Sequence, residues 1–183
     1  PDITIYGVPE IYCYEQDEKY DGREGFAGPE NYSHDKLISS RAVYCASSYY
    51  IEDNLGFSWN YGSCDNFPIV ELHEIFHAFG LGHTSKNNKE IMYPIKFRIK
   101  SCEINQIDSQ IISCLKHIYS DGKIEGNCLD RNMFPWPNAT DENITDFKWN
   151  SLPINYSIIN CGENQKKNIF SAEKILEEDI EVE

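Results

Sequence analysis

The eleven residues 73–83, His-Glu-Ile-Phe-His-Ala-Phe-Gly-Leu-Gly-His, constrain the chain more than any other feature. His73 and His77 are four residues apart, so on a helix both imidazoles project from one face and can bind a single ion. Gly80 can adopt the left-handed conformation that often ends a helix. His83 can then approach the same point from a new direction. The sequence therefore predicts a helix with two metal ligands, followed by a turn that supplies a third.

Three neutral imidazoles suit Zn²⁺ and leave a fourth position for water, as in catalytic rather than structural zinc sites. Zinc lowers the pKa of such a water and polarises a carbonyl group. Glu74 can act as the general base that takes the proton of the water. Bare HExxH occurs by chance on amphipathic helices. Gly80 and His83 at the expected offsets argue against such a chance match on a helix that binds no metal. We therefore predict a hydrolase with one catalytic zinc, the metal ligands His73, His77 and His83, and the catalytic residue Glu74.

Hydrophobic periodicity outlines the secondary structure around this motif. The first helix has a cap at Asp65 or Asn66, Pro68 in its first turn and its end at Gly80. Further helices are predicted at 103–119 and 168–180. Strands are predicted at 2–7, 10–14, 41–48, 56–62 and 152–159. Loops are predicted at 15–35 and 84–101, and a linker rich in Gly, Asn, Asp and Pro at 121–146.

The sequence around the motif resembles the metzincin clan of zinc endopeptidases. Every defined position of the long motif HExxHxxGxxH is matched, and Glu-Ile-Met-Tyr-Pro at 90–94 follows at a suitable distance for the Met-turn of that clan. Thr84, directly after His83, and the Met-Tyr-Pro sequence are most similar to the matrixins. The resemblance covers residues 1 to about 120.

The resemblance implies the fold and activity of a zinc metalloendopeptidase. The implied fold class is α/β (α+β), with a small mixed twisted sheet, an active-site helix and a last helix that ends at 115–119. Met92 would be an apolar floor under the zinc rather than a ligand, and residues 94–96 a wall of the S1′ pocket. The partners would be protein or peptide substrates, bound in extended form along an edge strand such as 41–48.

The chain departs from the matrixins in its structural metal sites and in the order of its segments. We find no His/Asp pattern for a structural zinc and no clear calcium loop, so structural metals have no support. Residues 148–158 are similar to the first strand of a matrixin, and 165–180 to the helix after it, yet they come last. We hypothesise a circular permutation, in which 1–120 form the main part of the catalytic domain, 121–146 a linker, and 147–183 the strand and helix that complete the domain.

Alternatives to the permutation stay open. A truncated second copy that starts near residue 147 would give the same pattern, and so would an artefact of segment order. The strand that normally follows the matrixin helix is not recognisable after 165–180. A structure with 152–158 outside the sheet that contains 2–7 would contradict the hypothesis.

Residues 121–183 have a rival interpretation as an inhibitory segment. Matrixin proregions hold a Cys against the zinc in an Arg-Cys-Gly-containing motif, and Cys161-Gly162 matches two letters of it, with Asn160 in place of Arg. The alternative function is thus a non-hydrolytic or latent zinc-binding protein on the same scaffold. Glu74 discriminates between the two classes, because a degenerate site usually loses its base.

Charge and composition exclude several partners. The net charge of −14 argues against nucleic acid and anionic membranes, since both would be repelled. No run of about 18 apolar residues encodes a membrane span, and the start of the chain lacks the features of a signal peptide. We expect a monomer.

The cysteines and glycosylation motifs favour an oxidising compartment. None of the seven cysteines forms a C-x-x-C pair, and their number allows up to three disulfides with one thiol left over. Four Asn-x-Ser/Thr sequons lie at Asn31, Asn138, Asn143 and Asn155. Together these features predict a secreted or extracellular protein.

Overall fold

The computed structural model describes residues 1–8, 25–33, 36–45, 68–83, 91–92, 107, 109–119, 149 and 153–180. The strands among them are β1 (Ile3–Val8), β2 (Gly25–Ser33), β3 (Lys36–Cys45) and β4 (Tyr156–Ile159). The helices are α1 (Ile69–Ala78), α2 (Ser109–Tyr119) and α3 (Glu163–Ile180). The predicted α/β class with a small mixed sheet is confirmed. The predicted strands at 10–14 and 56–62 and the linker at 121–146 lie outside the described residues.

The sheet has the strand order β2-β3-β1-β4, and it is mixed. β1 pairs in parallel with β3 on one side and with β4 on the other, whereas β2 pairs antiparallel with β3. The prediction that the segment around 41–48 is an edge strand is therefore wrong, because β3 has a neighbour on each side. Among the described strands, β2 and β4 form the edges.

The predicted loop at 15–35 is wrong for residues 25–33, which form β2. Its glycines and Pro29 are typical of turns, so local propensity gave no strand signal. Pairing with β3 overrides that propensity, and the ladder shifts register between Pro29 and Asn31. An edge position tolerates a proline because only one side of the strand must donate hydrogen bonds.

The C-terminal strand lies in the same sheet as the first one. β4 runs parallel to β1 from the pair Ile3–Tyr156 to the pair Tyr6–Ile159. The backbone N–H of Asp2 donates to the carbonyl of Asn155 at 2.7 Å, and the N–H of Asn155 donates to the Asp2 carboxylate at 2.7 Å. This is the pairing that a permuted domain requires. Because a truncated second copy could supply the same strand, the permutation stays a hypothesis.

Helix α1 is fixed across the sheet by two side chains of β3. The Ser40 hydroxyl donates to the carbonyl of Ala78 at 2.6 Å, and the Tyr44 hydroxyl donates to the carbonyl of Glu71 at 3.2 Å. Ser40 and Tyr44 are an even number of residues apart, so both project from the same face of the sheet. Both ends of α1 are therefore anchored to one strand.

Helix α3 begins five residues earlier than its apolar pattern predicts. Gln165 reaches back and accepts a hydrogen bond from the backbone N–H of Gly162 at 2.8 Å. This satisfies a donor that the helix start would otherwise leave unpaired, as in one half of a capping box. The first turn of α3 is thus stabilised by capping rather than by apolar periodicity.

The core lies between the sheet and the helices. It includes Ile3 and Ile5 of β1, Leu72 and Phe76 of α1, Ile111 and Leu115 of α2, and Ile169 and Ala172 of α3. No helix within the described ranges has the length and apolar character that a membrane crossing needs.

Candidate metal centre

The end of α1 is shaped by the glycine of the motif. Gly80 has φ 86°, in the left-handed region that favours glycine. Its N–H donates to the carbonyl of His77 at 2.9 Å, and the N–H of Leu81 donates to the carbonyl of Phe76 at 3.1 Å. These two bonds are those of a Schellman motif with Gly80 at the left-handed position. The motif reverses the chain, so that His83 returns toward α1.

The three histidines converge on one point. The Nε2 atoms of His73 and His77 lie 3.1 Å apart, and each lies 3.2 Å from Nε2 of His83. His73 is buried, His77 is half-buried and His83 is exposed. The cluster is therefore buried on the side of His73 and open to solvent on the side of His83.

Backbone carbonyls orient two of these rings. Nδ1 of His73 lies 2.6 Å from the carbonyl oxygen of Ile91, and Nδ1 of His77 lies 2.7 Å from that of Leu81. A carbonyl can only accept, so each Nδ1 carries the proton and donates it. Nε2 of each ring then carries a lone pair that faces the centre of the cluster, which is the usual tautomer of a metal-bound histidine.

Burial keeps these rings in the neutral form that binds metals. It lowers the pKa of His73 well below the ordinary value, and the neighbouring His77 adds to the decrease. Burial likewise lowers the pKa of His77 to about 4. At neutral pH both side chains are therefore neutral imidazoles, and no proton must leave before a metal binds.

The cluster fits a zinc ion. Zn–N bonds of about 2.0–2.1 Å in a tetrahedral arrangement place ligand nitrogens about 3.3–3.4 Å apart. The Nε2 atoms lie 3.1–3.2 Å apart. The Nε2 lone pairs of His73 and His77 face the same point, which favours a cation there. His73, His77 and His83 are accordingly the group of described residues that could hold a metal ion.

Glu74 lies on the same helix as His73 and His77, and its side chain lies under the edge strand β2. Its side chain is 5% exposed. A Cβ atom built on Gly25, the first residue of β2, would be 3.0 Å from Oε1 of Glu74. The carboxylate is therefore enclosed between α1 and β2, next to the histidines that precede and follow it on the helix.

The structure brings together the three histidines predicted from the motif, and it adds contacts that the sequence does not reveal. Ile91 and Leu81 contribute only backbone oxygens, so their side chains gave no signal. Met92 of the predicted Met-turn is fully buried in the core, in a turn with Ile91. Gly25 had a weak signal as one of several glycines in a presumed loop.

Cys161 does not belong to the histidine cluster. Its thiol is buried where β4 leads into α3, and Sγ lies 3.7 Å from the carbonyl oxygen of Ile159. The group of potential metal ligands among the described residues contains only the three histidines. This position argues against the predicted alternative of Cys161 as an inhibitory ligand.

Comparison with known proteins gives one match. The sequence profile of the matrixin family matches residues 12–120, more than half of the chain, and includes the complete histidine motif. No curated protein and no solved structure matches. The profile match agrees with the mixed sheet, the Schellman turn and the converging imidazoles. The chain therefore belongs to the matrixin family.

Proposed function

We propose that the chain is a zinc-dependent endopeptidase in which His73, His77 and His83 hold one Zn²⁺ and Glu74 is the general base. The observation that carries the proposal is the convergence of three Nε2 atoms, two of them from the helix that also carries Glu74. The match to the matrixin family, which is a family of peptidases, supports the proposal. No structural calcium is included in the proposal.

The bound zinc would supply Lewis acidity, which polarises a substrate carbonyl and makes water more acidic. Glu74 takes the proton of the attacking water and returns it to the leaving amine nitrogen. Its enclosure between α1 and β2 limits the hydration of the carboxylate and restricts its position. The carbonyls of Ile91 and Leu81 keep the proton of two imidazoles on Nδ1, so that Nε2 of each ring carries the lone pair.

We propose that the substrate binds in extended form along the first residues of β2, 25–27, rather than along β3. β3 is paired on both sides, so its backbone groups are already used. β2 is an edge among the described strands, and its first residue lies against Glu74. An added strand there would gain main-chain hydrogen bonds and would bring a scissile bond close to the base.

The proposal extends to export, with the enzyme acting as a secreted monomer. The seven cysteines, with no C-x-x-C pair among them, support an oxidising compartment. Asn31 and Asn155 belong to sequons and are exposed, so both are open to glycosylation.

The test combines metal analysis with proteolysis. The purified chain should bind one zinc and cleave a reduced, alkylated protein, and phenanthroline should stop cleavage until zinc is restored. Glu74→Gln should keep the zinc and lose activity by about 10²–10⁴-fold, the range for loss of a general base. Full activity in Glu74→Gln would refute the mechanism. One bound zinc without any cleavage would favour the non-hydrolytic alternative.

A further inference from the structure

Gly25, the first residue of the edge strand β2, has no side chain, and this leaves space for the Glu74 carboxylate. A Cβ atom at Gly25 would lie 3.0 Å from both Cγ and Oε1 of Glu74, and 2.9 Å from the carbonyl oxygen of Val43. Carbon atoms in contact are usually about 3.5–4.0 Å apart. Any side chain at position 25 would therefore overlap with the carboxylate of Glu74.

Another glycine of the same strand has no such neighbour. A Cβ atom at Gly28 would meet nothing within 4 Å. Both residues pair with β3, Gly25 opposite Tyr44 and Gly28 opposite Arg41. The two positions thus share the strand and the partner strand, and they differ in contact with Glu74 and with the carbonyl of Val43.

The atoms around Gly25 differ in how easily they can move. The carbonyl of Val43 belongs to the β2–β3 ladder and is held by strand pairing. The Glu74 carboxylate ends a side chain with rotatable bonds, so it yields more easily than the carbonyl, although its enclosure makes the displacement cost some stability. An added methyl group would therefore displace the carboxylate and would also press on the carbonyl of Val43.

Catalysis is more sensitive to that position than folding is. A general base must lie within hydrogen-bond reach of the proton that it abstracts, and a displacement of about 1 Å can cost about 10²-fold in rate. The histidines are oriented independently, through the carbonyls of Ile91 and Leu81. Metal binding should therefore be insensitive to a side chain at position 25.

We infer that Gly25 is a positioning residue, whose missing side chain sets the place of the Glu74 carboxylate between β2 and α1. This inference rests on the proposed function. It assigns to the edge strand a second role besides substrate pairing, which is to limit the positions available to the base.

The test compares Gly25→Ala with Gly28→Ala as a matched control. Gly25→Ala should lower kcat by about 10–100-fold, with KM and zinc content within about twofold of wild type. Gly28→Ala should leave all three unchanged. Wild-type kcat in Gly25→Ala would overturn the inference, and so would an equal loss of kcat in both variants.

Shortening the base separates positioning from strand distortion. Glu74→Asp removes one methylene, so the added methyl of Gly25→Ala has less to displace. The fold loss of kcat caused by Gly25→Ala should be smaller in the Glu74→Asp background than in wild type. An equal loss in both backgrounds would mean that the strand, rather than the carboxylate, has been disturbed.

A measurement without zinc makes the contact testable apart from activity. In zinc-free protein, Gly25→Ala should lower the midpoint of thermal unfolding less in a Glu74→Ala background than in wild type. Identical shifts would overturn the inference. A wild-type chain that cleaves nothing would refute the proposed function instead, and the zinc-free comparison would still decide whether Gly25 and Glu74 are coupled.

Discussion

The two faces of α1 differ in where their partners come from. The face with His73 and His77 meets Leu81, His83 and Ile91, all within 18 residues along the chain. The opposite face meets remote segments. Asn168 of α3 donates from Nδ2 to Oε1 of Glu71 at 3.1 Å, across a separation of 97 residues, and Phe79 contacts Trp149.

This contrast shows which contacts of α1 are made by residues nearby in the sequence. The metal face is set by the spacing of one motif and by a Schellman turn, so it can form wherever α1 forms. The packing face depends on residues 149–180, which must arrive from the other end of the chain. Substitutions on the two faces should therefore separate zinc binding from stability.

The largest effect is expected on the packing face. Phe79 is 8% exposed and packs edge-to-face with Tyr119 and Trp149, at centroid distances of 5.9 and 6.4 Å. Phe79→Ala should cost about 3–5 kcal/mol of unfolding free energy, as a buried aromatic leaves a cavity. Urea unfolding measures this. Phe170→Ala, at a residue 51% exposed, should cost less than about 0.5 kcal/mol.

The next effect concerns the metal face. His77→Ala should weaken zinc binding by more than about 100-fold, beyond the usual loss from altering a partner of a metal ligand. The unfolding free energy of zinc-free protein should fall by only about 1 kcal/mol, since the ring makes a single backbone hydrogen bond. Competition with a chelating dye gives the affinity. A large loss of zinc-free stability would break the contrast between the faces.

A smaller effect is expected where α3 meets α1. Asn168→Ala removes a hydrogen bond to the buried Glu71, and it should cost about 1–3 kcal/mol. For a chain of this size that lowers the unfolding midpoint by about 2–4 °C per kcal/mol. Lys167→Ala, at an exposed neighbour on α3, is the matched control. Unchanged stability in Asn168→Ala would show that α3 is held by apolar packing alone.

The sequence predicted the metal face well because zinc chemistry demands fixed residue types at fixed offsets. His73, His77, Gly80 and His83 could be identified before any coordinates. It also predicted that residues 152–158 join the sheet of 2–7, from the resemblance of 148–158 to the first strand of a matrixin, and residues 156–159 do so. The first success rests on a local motif, and the second rests on a resemblance in sequence.

The sequence failed where tertiary contacts override local preference. β2 has Gly and Pro residues of a turn and becomes a strand only through pairing with β3. The mistaken edge assignment followed from that, because β3 could not be seen as an inner strand without β2. Glu71 also gave no signal, since its partner Asn168 is distant and only the fold brings them together.

The smallest effect concerns the thiol of Cys161, beside the packing face. Burial raises its pKa to about 11 from an ordinary value of 9.0, and Glu71 adds to the increase. Folding thus favours the protonated thiol, a contribution to stability that is complete below about pH 9 and is lost as the pH rises through about 11. Iodoacetamide labelling of the native protein, with the Cys161 peptide quantified by mass spectrometry, should rise toward pH 11, whereas denatured protein should label readily near pH 9. Half-maximal labelling of native Cys161 at or below pH 9 would contradict this.

Burial keeps both the histidines and this cysteine neutral, but a neutral imidazole binds zinc while a protonated thiol does not. Burial therefore prepares two histidines of α1 for a metal and keeps Cys161, between β4 and α3, unreactive.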